Sequence, residues 1–168
     1  MTRAAVITCS DRAARDIYED RSGPILRDAL TALGFEVTTP VIVPDDPALI
    51  RDAVLAAHQD GARIILTTGG TGISPTDVTV EAVRDLITHD IPGLMEEVRR
   101  IGAQKEPRAL LSRGIAGVLE GDPRAVVVNA PGSRGGARDT ISVIGPLLTH
   151  IVEQLDGADH DLSRPESV

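Results

Sequence analysis

Aromatic residues are almost absent from this sequence of 168 residues, which has no tryptophan, one tyrosine and one phenylalanine. Stacking on nucleic-acid bases needs such side chains, and the net charge of −8 opposes binding to a polyanion. We therefore expect no nucleic-acid partner. The core must be built from Ala, Val, Ile and Leu, which is typical of helices packed on a parallel β-sheet.

Cysteines and long apolar runs are also scarce. Cys9 is the only cysteine, which excludes a disulfide framework, and its apolar surroundings predict a core position. No stretch approaches the roughly 18 apolar residues of a membrane span, and the first residues do not resemble a signal peptide. We therefore expect a cytoplasmic protein without membrane contact. The four histidines have no paired ligand spacing and are predicted to be surface or structural residues.

Short apolar runs alternate with segments of helical periodicity. Strands are predicted at residues 4–9, 35–43, 63–68, 115–119 and 125–130. Helices are predicted at residues 24–33, 47–58, 79–87, 94–101 and 138–155. The alternation predicts a three-layer α/β/α domain with a mainly parallel sheet, spanning residues 1–156 and followed by a polar tail, 157–168.

Several predicted strands end at loops with polar or glycine-rich sequences. These are Ser10-Asp11-Arg12, Asp45-Asp46, the segment 69–77 and the segment 131–136. In open α/β sheets, ligands bind beyond the carboxyl ends of the strands. The glycine-rich start of segment 69–77 exposes main-chain N–H groups before a helix, which suits a phosphate. It matches neither a P-loop nor a dinucleotide fingerprint, and a tight turn remains the alternative.

Two carboxylates follow predicted strands without an obvious structural duty. Asp46 is the natural N-cap of a helix that begins at Pro47, which leaves Asp45 for other work. Asp77 is itself a possible cap, but Thr79 would cap the next helix equally well. Two carboxylates beside an anion-binding loop require a cation between them, and Mg²⁺ is the natural candidate. Our hypothesis is that Mg²⁺ bridges these carboxylates and the phosphates of a substrate.

Three further positions are left open by the residues alone. Arg134 and Arg138 flank the second glycine-rich loop, where they would either bind phosphate or remain solvated charges. Ser112 would either place a hydroxyl in the pocket or begin a turn, and its spacing favours the turn.

The stretch TTGGTGISPTDVTVEA, at residues 67–82, closely resembles the signature of the molybdenum-cofactor biosynthesis family of MoaB/Mog type. Other motifs similar to that family occur in order along most of the chain. They are Ser10-Asp11-Arg12, Asp20-Arg21-Ser22-Gly23-Pro24, Val43-Pro44-Asp45-Asp46, Ile91-Pro92-Gly93, Leu111-Ser112-Arg113 and Asn129-Ala130-Pro131-Gly132-Ser133.

The resemblance implies a molybdopterin adenylyltransferase, which transfers AMP from Mg·ATP to the terminal phosphate of molybdopterin. It also implies the MoaB/Mog-like fold, a homotrimer and contact with a downstream metal-insertion enzyme. A non-catalytic molybdopterin-binding or carrier protein of the same family is the alternative.

By the same resemblance, Asp45 and Asp77 are the essential aspartates that hold Mg²⁺. The remaining binding positions implied are Ser10, Asp11, Thr68, Gly69, Gly70, Thr71, Gly72, Ser112, Asn129, Pro131, Gly132, Ser133 and Arg134. The chain departs from active relatives at Gly102, where they often have serine, and at Arg134-Gly135, where they often have Pro-Lys.

Overall fold

A computed structural model describes residues 1–17 and 19–157. His160 and all but the first residue of the expected polar tail lie outside the described residues. The strands are β1 Arg3–Cys9, β2 Glu36–Val37, β3 Val41–Val43, β4 Ile64–Thr68, β5 Ile87–Asp90, β6 Ala116–Leu119 and β7 Ala125–Ala130. The helices are α1 Asp11–Ala14, α2 Ser22–Ala32, α3 Pro47–Gln59, α4 Thr79–Arg84, α5 Pro92–Lys105, α6 Arg134–Ile144 and α7 Leu148–Leu155. Short 3₁₀ turns occupy Pro107–Leu111 and Gly145–Leu147.

All seven strands form one mixed sheet in the order β2-β1-β4-β7-β6-β5, and β3 also pairs with β1. The pairs of β1 with β2, β3 and β4 are parallel, as is the pair of β4 with β7. Strands β5 and β6 run antiparallel to their neighbours. The sheet is therefore mostly parallel, as the sequence predicted.

Helices cover both faces of this sheet. In β1, Ala4 and Val6 point towards α2, α5, α6 and α7, whereas Ala5, Ile7 and Cys9 point towards α3 and α4. The period of two along the strand thus feeds two separate aliphatic cores. This confirms the three-layer α/β/α prediction and the core position of Cys9, whose burial raises the pKa of its thiol to about 12.

Three element predictions were wrong. The predicted strand 35–43 is split into β2 and β3, with Pro40, which has no N–H to donate to a ladder, between them. The predicted helix 79–87 ends at Arg84, because residues 87–90 instead pair with β6. The predicted helix 138–155 is two helices separated by a 3₁₀ turn that contains Pro146.

The loops after β1 and β4 leave the sheet in opposite directions. Strand β1 leads to α2 on one face, and its neighbour β4 leads to α4 on the other face. A crevice opens where neighbouring connections diverge, and this is where open α/β sheets bind ligands. Within the described part of the chain, no helix has the length and apolar character needed to cross a membrane.

Candidate active site at the carboxyl ends of the central strands

The glycine loop after β4 has a main-chain path that other residues would not follow. Gly69 and Gly70 have φ values of +96° and +64°. A Cβ atom at Gly69 would lie 2.3 Å from the carbonyl oxygen of Cys9, and one at Gly70 would lie 2.2 Å from Oγ1 of Thr79. Left-handed φ and close packing both require glycine here. The loop main chain therefore lies directly against β1 and the start of α4.

Asp45 is held at the end of β3 by a reciprocal pair of hydrogen bonds. The Asp11 N–H donates to Oδ2 of Asp45 at 2.9 Å, and the Asp45 N–H donates to Oδ1 of Asp11 at 3.0 Å. The neighbouring Asp46 caps α3, since its carboxylate accepts from the N–H groups of Ala48 and Leu49. The predicted division between a capping and a non-capping aspartate is confirmed.

Asp77 does not cap the helix that follows it. Helix α4 begins at Thr79, its N-cap residue is Val78, and no side chain caps it. Thr79 lies inside the helix, so the prediction that Thr79 could cap it was also wrong. Oδ2 of Asp77 instead accepts from the Ser74 N–H at 2.9 Å. A Cβ atom at Gly72 would lie 2.7 Å from this Oδ2 atom, so the carboxylate lies over the glycine loop.

Both aspartates line one cavity of about 390 Å³, which we call the carboxylate pocket. The predicted site residues that line it are Asp45, Asp77, Ser10, Thr68, Gly69, Gly70, Gly132, Ser133 and Arg134. The segments that follow β1, β3, β4 and β7, which are far apart in sequence, thus meet at the crevice beside β1 and β4.

The carboxylate pocket places negative charges close together. Desolvation raises the pKa of Asp45 above its ordinary value, and the nearby charges of Asp11 and Asp77 raise it further, although the Asp11 N–H acts in the opposite direction. A cation between the two carboxylates would relieve this repulsion.

The donor set of the pocket fits a magnesium ion carried by a phosphorylated ligand. Among residues 1–17 and 19–157, no group of three or more His, Cys, Asp or Glu side chains could hold a metal by itself. Mg²⁺ commonly takes one or two carboxylates and completes its shell with phosphate oxygens and water. Asp45 and Asp77 supply that protein share.

A second cavity, of about 460 Å³, adjoins the first, and we call it the serine pocket. The predicted site residues that line it are Thr71, Gly72, Ser112, Pro131, Gly132 and Ser133. Gly132 and Ser133 line both cavities. Ser112 follows the 3₁₀ turn 107–111 and its hydroxyl donates to Oγ1 of Thr71 at 3.3 Å. Ser112 therefore ends a turn and does not begin one, and it lines the pocket.

Cations missed by the sequence reasoning line the serine pocket. They are Arg99, Lys105 and Arg108. Nζ of Lys105 lies 2.6 Å from Oδ1 of the mostly buried Asp139, which anchors the ammonium group at the cavity wall. The only signal in the sequence was that Lys105 is the single lysine.

Gly102, where the family resemblance led us to expect a serine in active members, lies in the same wall. A Cβ atom there would be 3.0 Å from Cβ of Ala109 and 3.3 Å from Oδ2 of Asp139. A serine at this position would therefore place its hydroxyl close to the Asp139 carboxylate. With glycine at position 102, no such hydroxyl competes with Lys105 for the Asp139 carboxylate.

Two predicted binding residues line neither pocket. Asp11 contacts Asp45 and so belongs to the support of the carboxylate pocket. Asn129 is fully buried in β7, where its Nδ2 donates to Oγ1 of Thr67 at 2.8 Å. Its place is inside the sheet that carries the loops.

Asp20 lines the carboxylate pocket although it was noted in the sequence only as part of a motif. Its Oδ2 accepts from the Thr8 hydroxyl at 2.7 Å, and its Oδ1 accepts from the N–H groups of Ser22 and Gly23 at 3.1 and 3.0 Å. These bonds tie the start of α2 to β1. An aspartate two residues before a helix start was the available signal.

The fold and the site define a class of protein: an α/β ligand-binding protein with an acidic pair and a glycine loop at its switch point. The sequence profile of the family described as "Probable molybdopterin binding domain" matches residues 5–150. This chain belongs to that family.

Relatives and solved structures agree with this assignment. A "Molybdenum cofactor biosynthesis bifunctional protein" of Synechococcus elongatus is 42% identical over 157 residues, which cover 94% of this chain and 48% of that protein. The chain thus spans about half the length of the bifunctional relatives it matches. A "Molybdopterin adenylyltransferase" of Pyrococcus furiosus is 36% identical, over 88% of both chains. The crystal structure of the molybdopterin biosynthesis enzyme MoaB of Thermus thermophilus aligns with a TM-score of 0.84 and 39% identity, covering 94% of this chain and 98% of that one.

Proposed function

We propose that this protein is a molybdopterin adenylyltransferase that transfers AMP from Mg·ATP to the terminal phosphate of molybdopterin. The observation that carries the proposal is that Asp45 and Asp77 face one cavity beside a glycine loop. The 36% identity to a protein named for this activity, over nearly its whole length, supports the same reaction.

In the proposed reaction, an oxygen of the molybdopterin phosphate bonds to the α-phosphorus of ATP. The bond from that phosphorus to the bridging oxygen of the β-phosphate breaks, and pyrophosphate leaves. Asp45 and Asp77 would hold the Mg²⁺ ion, which neutralises phosphate charge when bound. In phosphoryl and nucleotidyl transfer, placement and charge neutralisation supply most of the rate.

The main chain of the glycine loop would bind the nucleotide phosphates. The N–H of Gly69 already donates to the carbonyl oxygen of Ala130 at 3.1 Å. The phosphate contacts therefore fall to the N–H groups of Gly70, Thr71 and Gly72. Arg134, which lines the same pocket, would add a positive charge at a site that otherwise repels anions.

The serine pocket would hold molybdopterin. It adjoins the carboxylate pocket at Gly132 and Ser133, so a ligand in it can extend its phosphate towards the nucleotide. Ser112 would contact the pterin, and Arg99 and Lys105 would favour an anionic ligand.

The cellular setting is part of the proposal. We infer a cytoplasmic homotrimer that passes adenylylated molybdopterin to a metal-insertion enzyme. The bifunctional relatives, about twice as long as this chain, support a close link between this step and another step of cofactor synthesis.

The direct test incubates the purified protein with molybdopterin and Mg·ATP and measures pyrophosphate together with adenylylated pterin. We expect both products in equal amounts, with no product when Mg²⁺ is removed by chelation. Binding of molybdopterin without either product would contradict the enzyme and favour the carrier.

A further inference from the structure

Arg113 follows Ser112 and reaches back to the loop that carries Asp77. Its Nε donates to the carbonyl oxygen of Gly72 at 2.6 Å, and its Nη2 donates to the carbonyl oxygen of Asp77 at 2.9 Å. Its main-chain N–H donates to the carbonyl oxygen of Thr71 at 2.7 Å. One residue therefore joins both ends of the segment that runs from the glycine loop to the catalytic aspartate.

That segment has little else to hold it. Residues 73–76 are all exposed, and the side chain of Ile73 is 70% exposed. The bonds between Asp77 and Ser74 are internal to the segment and move with it. A short exposed loop without core contacts is expected to move easily. The position of Asp77 relative to Asp45 thus depends on contacts from outside the loop.

Glu81, in the first turn of α4, holds the Arg113 guanidinium on its other side. The hydrogen bond between them raises the pKa of Arg113 and lowers the pKa of Glu81. A planar guanidinium has enough N–H groups, spread far enough apart, to donate to the two carbonyl oxygens and the carboxylate at once. The compact ammonium group of a lysine cannot donate to all three. The pair is exposed enough that its charge alone would stabilise the fold little.

We propose that Arg113 is a positioning residue for the reaction, holding the Asp77 loop so that Asp77 and Asp45 share one metal ion. The inference rests on the proposed function, and it assigns Arg113 no contact with either substrate. Among the described residues that line the two pockets, Arg113 does not occur. Its effect must therefore pass through Asp77.

The test compares Arg113→Lys with Arg100→Lys. Arg100 makes a similar two-pronged ion pair, with Glu97 at 2.6 and 2.7 Å, but it is exposed on α5 and lines neither pocket. We expect Arg113→Lys to lower kcat by roughly 10- to 100-fold, as small misplacements of catalytic groups do. The Mg²⁺ concentration for half-maximal activity should rise, while the KM for molybdopterin and the Tm stay near those of Arg100→Lys.

A second variant separates geometry from charge. Glu81→Gln removes the ion pair but keeps the bonds from Arg113 to the two carbonyl oxygens, so its kcat should fall much less than that of Arg113→Lys. Hydrogen exchange should accelerate in Arg113→Lys at residues 72–78 and not across the central strands. Unchanged kcat and Mg²⁺ requirement in Arg113→Lys, or faster exchange throughout the sheet, would overturn the proposal.

Failure of the proposed function and failure of the Arg113 inference give different results. If the wild-type protein makes no adenylylated pterin, the proposed function fails. The Arg113 inference is then decided by the affinity for Mn²⁺ with a non-hydrolysable ATP analogue. Weaker binding in Arg113→Lys than in Arg100→Lys supports a positioning role, and equal binding refutes it.

Discussion

Asp45 and Asp46 are adjacent aspartates with different surroundings. The carboxylate of Asp46 accepts two main-chain N–H groups at the start of α3, whereas that of Asp45 accepts one from Asp11 and faces the carboxylate pocket. A cap stabilises the fold, while a carboxylate crowded by like charges opposes it. We therefore expect Asp46 to contribute to stability and Asp45 to the proposed reaction.

Asp46→Ala should lower the free energy of unfolding by about 1 kcal/mol, because two N–H groups lose their partner. Its kcat should stay within a few-fold of wild type. Chemical denaturation with a product assay measures both. A kcat as low as that of an Asp45 variant would contradict the separation.

Asp45→Asn should keep or slightly raise the Tm at neutral pH while kcat falls by roughly 10²- to 10³-fold, a loss typical of removing one electrostatic contact to the transition state. The pKa of Asp45 is raised in the folded protein, so its ionised form opposes folding above that pKa. The gain in Tm should shrink as the pH falls through the raised pKa, because Asp45 then becomes neutral. A lower Tm at every pH would show that Asp45 is structural.

Asp77→Asn should lower the pKa of Asp45, because it removes one of the charges that raise it. Carbon-detected NMR of the Asp45 carboxyl group during a pH titration measures this shift. Turnover should be lost while the fold is kept. An unchanged pKa would mean that the two side chains do not sense each other.

The glycine loop is the element on which the site depends. Gly70 has a left-handed φ, and a Cβ atom there would press on Thr79 and lie 3.4 Å from Oδ1 of Asp45. The main chain at Gly70 therefore lies too close to Thr79 and Asp45 to leave room for a side chain.

Gly70→Ala should therefore destabilise the protein by about 1–3 kcal/mol through strain and close contact, and it should also lower kcat. Gly93→Ala is the matched control, since Gly93 lies in α5 and its Cβ would meet no atom within 4 Å. Alanine there should be neutral or slightly stabilising. Equal stabilities for the two variants would contradict the packing of the loop.

Several elements were predictable because their signals are local. The Asp46-Pro47 start of α3 and the buried strands β1, β4 and β7 follow from capping chemistry and from continuous apolar runs. Strand β5 was not predictable, because its pairing with β6 is a tertiary contact between segments about 30 residues apart.

At the scale of the whole molecule, the two pockets meet where four loops converge, those after β1, β3, β4 and β7. The sequence predicted the convergence from the rule for parallel sheets, and it predicted the carboxylate pair from spare capping capacity and from resemblance. The cationic wall of the serine pocket was not predicted, since Lys105 and Asp139 are joined only by the packing of α5 against α6. Long-range packing decides which charges face a cavity.

Self-association is the whole-molecule prediction. A cavity of about 620 Å³ with apolar side chains such as Leu94 and Leu147 opens between α5 and the turn after α6, and Leu147 is 41% exposed. Sedimentation equilibrium should give three times the chain mass of 17.7 kDa, and Leu147→Glu should reduce it. A wild-type monomer at micromolar concentration would contradict the trimer.

The most direct test of the central claim is a crystal structure with Mn²⁺ and a non-hydrolysable ATP analogue. We expect an anomalous manganese peak within coordination distance of carboxylate oxygens of both Asp45 and Asp77, with the phosphates against the glycine loop. A nucleotide whose metal contacts neither carboxylate, or which lies outside the carboxylate pocket, would contradict it.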